Sequence, residues 1–287
     1  ARLAHFVHIP WQDDWTVLPE PMRRAVHEGL LANDVVAFHT DRWARSFRAS
    51  CAEVVGGCGD TLVTHHAISI DPAEFDELAV SEAVRAEEEK LVEGRPEKLV
   101  LRVDRTDPSK NIVRGFDAFG LLLDTYAEWR GRVRMLALLD PSRQAIPEYV
   151  EYLAAVERAV ERVNGRHTGA IELRVADNFP RSIAAYKQYD VLLVNAVYDG
   201  MNLVAKEAPL VNTRDGVLVL SENAGAHEEL GRWAVTVNPF DVWGQAEALH
   251  EALTLDGPER RRRLEAIRGH VREHDVLAWS DALLADL

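Results

Sequence analysis

After Pro96, short apolar runs and amphipathic stretches alternate with a regularity that leaves few folds open. "KLVLRVD" reads as a strand, "NIVRGFDAFGLLLDTY" as a helix and "VRMLALLD" as a strand again. "AIPEYVEYLAAVERAVERVNG" is a long helix ending at Gly165. "IELRVAD", "DVLLVNAV" and "GVLVLSE" are further strands with helices between them, and "WGQAEALHEALTL" and "PERRRRLEAIRGHVREH" are late helices. Continuous apolar strands must be covered on both faces, and strands that alternate with helices pair in parallel. The expected class is therefore α/β with parallel sheets.

The first third carries similar signals. "LAHFVHI", "DVVAFH" and "TLVTHHAISI" read as strands; "PMRRAVHEGLL" and "DRWARSFRASCAEVV" are helical, the latter with Asp41 as its N-cap. The charged helix "SEAVRAEEEKLVEG" ends near Gly94 and Pro96, and the composition shift there divides the chain into residues 1–94 and 95–287. The chain opens without Met on a strand already in progress, which predicts that the first unit is part of something longer.

Charge excludes some partners. Lys+Arg number 33 against 47 Asp+Glu, a formal net charge of −14 that repels nucleic acid and anionic membranes. The one basic run, Arg260 to Arg263, sits beside Glu259 and Glu265 in what reads as a solvated helix. Cys51 and Cys58 are too few for a disulfide framework and read as buried reduced thiols in a cytoplasmic protein. No CxxC or HExxH pattern is present, so no metal site is expected, and no apolar run reaches transmembrane length.

In open parallel sheets, ligands bind beyond the carboxyl ends of the strands. Polar residues gather there: His8, "RTDPSK", "DPSR", "DNFPRS", "VYDGMN" and "SENAGAHEE" each follow a strand. In "YDGMNLVAKE" Gly200 permits close backbone approach and a helix begins near Asn202, so its free N–H groups can hold an anion. Glu207, about two turns after Asp199, reaches an attached sugar. An ordinary strand-to-helix turn capped by Asp199 is the alternative. Arg105 and Lys110 can hold a diphosphate, the first by bidentate bonds and the second as a point charge, or form a solvated loop. Arg102, inside the strand, reads as structural. Glu228 and Glu229 read as first-turn acids of a helix or as part of a ligand-edge loop. "PWQDDWTVLP" is a core cluster or a sugar-stacking wall. There is no nucleophile-elbow pattern and no obvious glycosidase carboxylate pair.

In this order, "HIPW…LP", "RTDPSKN…GF", "DPSR…Y", "DGMNLVAKE", "GVLVLSENAGAHEELG" and "VNPFD" resemble the trehalose-6-phosphate synthase family of retaining glycosyltransferases across essentially the whole chain. The resemblance implies a GT-B fold, two Rossmann-like domains facing across a cleft, with the N-terminal domain incomplete here. It implies a retaining, metal-independent transferase with no cofactor, acting on a small-molecule nucleotide diphosphate donor and a phosphorylated acceptor. A homodimer is compatible with it.

Residue by residue, the resemblance gives Arg105 and Lys110 the donor diphosphate, Asp199 the donor ring hydroxyls and His8 the donor ring and leaving group. Gly200, Met201, Asn202 and Leu203 match the backbone turn at the phosphates, Glu207 the ribose contact, Asn178 and Phe179 the base-side loop, and Arg143 an acceptor-phosphate ligand. Tyr198 departs from the family pattern, which has Arg before "DGMN". "GGCGD" and "GRHTGAIEL" are shorter than the family's stretches. Tyr198 and "NAVYDGMNLVAKEAPLVN" look closest to the pseudo-glycosyltransferase branch, which joins GDP-valienol to validamine 7-phosphate through a C–N bond in validamycin (antibiotic) biosynthesis, so GDP is expected over UDP. The alternatives are trehalose-6-phosphate synthesis from nucleotide-glucose and glucose 6-phosphate, and a non-catalytic regulatory subunit.

Overall fold

The computed structural model describes residues 2–12 and 14–287. Its strands form two all-parallel sheets. The first joins β1 (Ala4–Val7), β2 (Val35–Phe38) and β3 (Leu62–His65) in that order. The second has six strands: β4 (Lys98–Arg105), β5 (Val133–Asp140), β6 (Ile171–Val175), β7 (Val191–Val194), β8 (Val217–Ser221) and β9 (Val235–Val237). Their spatial order is β6-β5-β4-β7-β8-β9, the doubly wound order that reverses between β4 and β7.

The helices are α1 (Glu20–Leu31), α2 (Asp41–Val54), α3 (Pro72–Ala79), α4 (Glu82–Glu93), α5 (Ile112–Thr125) and α6 (Pro147–Arg166), followed by α7 (Phe179–Gln188), α8 (Val204–Val211), α9 (Ala226–Leu230), α10 (Val242–Thr254), α11 (Gly257–Glu273) and α12 (Val276–Ala285). Alternate residues of the second sheet supply its two cores. Val100, Met135, Leu193 and Val219 meet α5, α6 and α10, while Leu101, Leu138, Leu192 and Leu220 meet α7, α8 and α11. Burying both faces is why these strands read as unbroken apolar runs.

Several expectations shift. "TLVTHHAISI" is a strand only to His65. The N-cap of α2 is Thr40, whose side chain accepts from Trp43 N at 3.3 Å, with Asp41 inside the helix. Packing passes between the sheets earlier than the composition does: Phe75 of α3 and Val84 of α4 belong to the core of the second sheet. Arg260 is buried, donating to the carbonyls of Asp215 and Asp190, so the basic run is not a uniformly solvated face. Cys51 is buried as expected, whereas Cys58 is half-buried. In the tryptophan segment Trp11 is core: it donates to Ser50 Oγ at 2.9 Å and packs edge-on to Phe47, while Trp15 is half-buried against it.

The last helix, α12, returns to the first sheet. Trp279 sits edge-on to Phe6 at 5.3 Å, and His66 Nε2 lies 2.6 Å from Asp286 Oδ2. The two chain crossings lie side by side, with Val276 N donating to Ile70 O at 3.1 Å. No helix among the described residues is long and apolar enough to cross a membrane.

Candidate active site

The strand order reverses between β4 and β7, the position beyond which open parallel sheets bind ligands, and the segments leaving those two strands are bonded together through Val197 N and Ser109 O at 2.8 Å. Arg105 ends β4, and Lys110 closes the turn that follows it. Asp107 shapes that turn by accepting from Ser109 N at 2.9 Å. From β7 the chain runs through Tyr198 and Asp199 to α8. The Lys110 ammonium lies 2.5 Å from Asp199 Oδ2. Burial works against this ammonium, but Asp199 and Asp104 outweigh it and raise its pKa. Asp199 also accepts from Asn202 Nδ2 at 3.1 Å, and Asn202 Oδ1 accepts from Ala205 N at 3.3 Å. Asn202, rather than Asp199, therefore satisfies the start of α8. Its φ of 76° is the left-handed region that Asn tolerates.

Arg105, Lys110, Phe179, Asn202, Leu203 and Glu207 line one cavity of about 270 Å³. Glu207 accepts from the buried Tyr186 hydroxyl at 3.0 Å. Burial pushes the Glu207 carboxyl up, against the pull of that hydroxyl. Asn178 caps α7 by accepting from Arg181 N at 3.0 Å, and so sets Phe179 at the cavity wall. Arg105 is exposed and makes no salt bridge among the described residues.

Arg102 braces this floor. It is fully buried, with Nε and Nη2 3.0 and 2.9 Å from Asp104 Oδ2. The same Nη2 donates to Lys110 O at 2.9 Å and to Asn195 Oδ1 at 3.0 Å, tying the loop after β4 to the end of β7.

Asp199, Gly200, Met201 and His8 lie beside that cavity and outside its lining, where glycines set close backbone approaches. A Cβ on Gly200 would stand 2.0 Å from His8 O, and one on Gly225 would stand 1.9 Å from Gly200 O. His8 thus meets the Gly200 turn through its backbone, while its ring is exposed and packs 4.9 Å from Phe6. Trp43 of α2 donates Nε1 to Gly200 O at 3.2 Å. Tyr198 packs against Trp43, with the Arg42 guanidinium 5.8 Å above its ring.

Arg143 stands apart. It lies outside the cavity lining, donates to Tyr149 OH at 2.7 Å and packs over that ring. Tyr149 OH donates in turn to Asp107 Oδ2 at 3.2 Å, so Arg143 reaches the clamp turn only through a relay.

Sequence reading missed the acids. Asp104, Asp140 and Asp177 also line the cavity. Burial, then Asp177 and Asp104, push the Asp140 carboxyl up. The signal was present, since each lies at or just beyond the carboxyl end of one of three neighbouring strands. His39, Arg42 and Trp43 were also missed. Among the described residues no group of three or more His, Cys, Asp or Glu is placed to hold a metal ion.

Comparison with known proteins adds the following. The description Glycosyltransferase family 20 matches residues 1–287. The chain is 36% identical over 306 residues to a bifunctional trehalose-6-phosphate synthase/phosphatase of Thermoproteus tenax, covering 99% of this chain and 42% of that protein. It is 34% identical over 311 residues to validamine 7-phosphate valienyltransferase of Streptomyces hygroscopicus subsp. jinggangensis, covering 100% of this chain and 60% of that one. The crystal structure of an alpha,alpha-trehalose-phosphate synthase (UDP-forming) from Burkholderia vietnamiensis superposes with a TM-score of 0.90 at 32% identity, over 99% of this chain and 67% of that chain. The chain thus spans 42% and 60% of the length of these curated relatives. The structural likeness establishes the fold as GT-B, with parallel-sheet units facing across a cleft.

Proposed function

The chain belongs to glycosyltransferase family 20, and on that premise we propose that it binds a nucleoside diphosphate-activated ring and helps transfer it to a phosphorylated acceptor. The observation that carries this reading is the bonded pair Lys110–Asp199 at the switch point, whose Lys110 lines one cavity with Arg105 and Glu207.

The chemistry follows from the placement. The C–O bond to the diphosphate breaks, and its electron pair leaves with the nucleoside diphosphate. Arg105, Lys110 and the backbone N–H groups from Met201 to Leu203 stabilise the charge growing on the leaving oxygens. Asp199, held beside the reacting carbon by Lys110 and Asn202, orients the ring hydroxyls. The acceptor attacks from the face the diphosphate leaves, and its proton passes to the departing phosphate, so configuration is retained. These groups supply the charge stabilisation in this reading, which calls for no metal and no resident cofactor.

For the substrates, Tyr198 favours the pseudo-sugar branch. The residue before Asp199 carries no charge, and its ring is held by Trp43 and Arg42. This reading couples GDP-valienol to validamine 7-phosphate through a C–N bond, the validoxylamine A 7′-phosphate synthase reaction. The second reading is trehalose-6-phosphate synthesis, favoured by 36% identity to a synthase domain-containing relative.

Product analysis of the intact protein decides between them. A C–N linked product from GDP-valienol and validamine 7-phosphate supports the first reading. Trehalose 6-phosphate from nucleotide-glucose and glucose 6-phosphate replaces it with the second. Nucleotide binding without either product leaves a regulatory subunit, and failure to bind GDP or UDP overturns the cleft assignment.

A further inference from the structure

We propose that a second small-molecule site lies over the amino halves of β4, β5 and β6, and that it takes an organic phosphate monoester, a dianion carried on a ring with an apolar face. The site is a cavity of about 410 Å³, within the range of small-molecule pockets. Its lining shares no residue with the donor cavity. Leu99, Arg134 and Glu172 line it, and each is the second residue of its strand, whereas the donor cavity takes Arg105 and Asp140 from the carboxyl ends.

Its charge runs against that of the chain. The protein carries a formal net charge of −14, yet four cations line this cavity against two carboxylates. Each carboxylate is shared between two of them. Glu87 lies 2.9 Å from Lys90 Nζ and 3.1 Å from Arg181 Nε. Glu172 lies 2.8 Å from Arg174 Nη2 and 3.6 Å from Arg134 Nη1. Hydrogen bonds from Lys90 and Arg181 hold the Glu87 carboxyl below its ordinary value, so it is ionised. Two positive charges therefore stay unmatched in the lining. Acids just outside it are held elsewhere, Glu88 by Lys187 and Gln188 and Glu97 by Arg132.

The donors have room for a ligand. Arg181 gives only Nε to Glu87, and its two terminal nitrogens have no protein partner among the described residues. Arg134 uses Nη1, on Gly94 O at 3.3 Å and on Glu172, and its Nη2 has no partner among the described residues. Both side chains are partly buried, at 35% and 38% exposure, which restricts their motion before a ligand arrives. A guanidinium edge matches two phosphate oxygens at once. The remaining lining is apolar: Leu99 and Leu136 are buried, Leu91 and Pro96 half-buried.

These two parts select the occupant. Inorganic phosphate matches the charge and leaves the leucines uncovered. A neutral ring covers the leucines and leaves the guanidinium edges to water. A cation meets the unmatched positive charge. A phosphate monoester carries about two negative charges at neutral pH, and its ring covers the apolar part. One helical turn separates the two cavities: Phe179 and Ser182 line the donor cavity and Arg181, between them, lines this one. Binding at one is told from binding at the other by a change confined to each.

The inference does not rest on the transferase reading. Calorimetric titration of the intact protein with phenyl phosphate, inorganic phosphate and benzyl alcohol tests it. Phenyl phosphate should bind at millimolar concentration or below, at least about tenfold more tightly than either of the others. Arg134→Gln combined with Arg181→Gln should weaken it at least about tenfold, with circular dichroism melting confirming that the variant folds. Arg174→Gln, at an exposed position that does not threaten the fold, should weaken it about two- to fivefold. Arg105→Ala, in the donor cavity, should leave phenyl phosphate binding unchanged. The proposal is overturned if phenyl phosphate fails to bind at millimolar concentration, if inorganic phosphate or benzyl alcohol matches it, if the double variant and Arg174→Gln both bind it as the wild type does, or if Arg105→Ala abolishes it. Failure of GDP and UDP to bind would overturn the cleft reading and leave this one standing.

Discussion

Lys110 and Asp199 stand 89 residues apart in the chain and 2.5 Å apart in space, bonded across the two strands between which the sheet order reverses. The pair is largely buried, and it presets the ammonium before any substrate arrives. Arg105, five residues earlier, has no such partner among the described residues.

Arg105→Ala and Lys110→Ala should therefore differ. In the proposed reaction each removes one cation from the leaving group, and by analogy with loss of one electrostatic donor each should lower kcat by about 10²–10³. Arg105→Ala should leave the melting temperature unchanged, since that side chain is exposed. Lys110→Ala strands Asp199 and should cost about 1–3 kcal/mol of stability. Steady-state kinetics beside thermal melts checks both, and wild-type turnover in either variant removes that residue from the clamp.

Gly200→Ala places a methyl 2.0 Å from His8 O, and Gly225→Ala places one 1.9 Å from Gly200 O. Backbone yields less than a side chain, so each should destabilise by at least about 1–3 kcal/mol. Each should also displace the turn that faces the donor. Urea midpoints measure the first effect and nucleotide titration the second; unchanged midpoints would mean that the close approach does not persist in solution.

Donor affinity should fall as pH rises. Burial raises the Glu207 carboxyl, and burial with Asp177 and Asp104 raises that of Asp140, both above the ordinary carboxylate range. A bound diphosphate raises them further, so binding takes up protons and weakens as those protons are lost. Burial raises Asp104 of the same lining as well, so Glu207→Gln removes one of three sites and should flatten the slope of log Kd against pH. Comparing the two proteins cancels the ligand's own ionisation, and an identical slope would exclude Glu207 from the linkage.

Arg102→Met should be among the most damaging changes in the cleft floor. It leaves Asp104 buried without its cation, a loss of about 3–5 kcal/mol for a broken buried pair. Arg102→Lys should recover only part of this, because an ammonium cannot reach Asp104, Lys110 O and Asn195 with one planar fork. Chemical denaturation of both variants tests the ranking.

The sequence made the second sheet legible because its strands are long and buried on both faces. Arg105, Lys110, Asn202, Leu203 and Glu207 could be named from strand ends and resemblance, and they line one cavity. Arg143, named from resemblance as an acceptor-phosphate ligand, lies outside that cavity and reaches the turn after β4 through Tyr149. β9 has three residues, too few to show a period. α12, "VLAWSDALLA", is apolar nearly all round, so helical periodicity is flat. Trp43, Arg42 and His39 meet the Tyr198–Gly200 turn only through tertiary packing between segments distant in the chain. The boundary near Gly94 reflects where charge ends, whereas packing follows Phe75 and Val84 onto the second sheet.

The return of α12 to the first sheet sets how the cleft can move. Two strands of chain, not one, pass between the units, and the bond from Val276 N to Ile70 O laces them together at one place. A body joined by a single tether can swivel in any direction. One joined by two crossings bonded at one place has fewer directions open to it, so the seam at Ile70 and Val276 restricts how the first sheet can shift against Arg105 and Lys110.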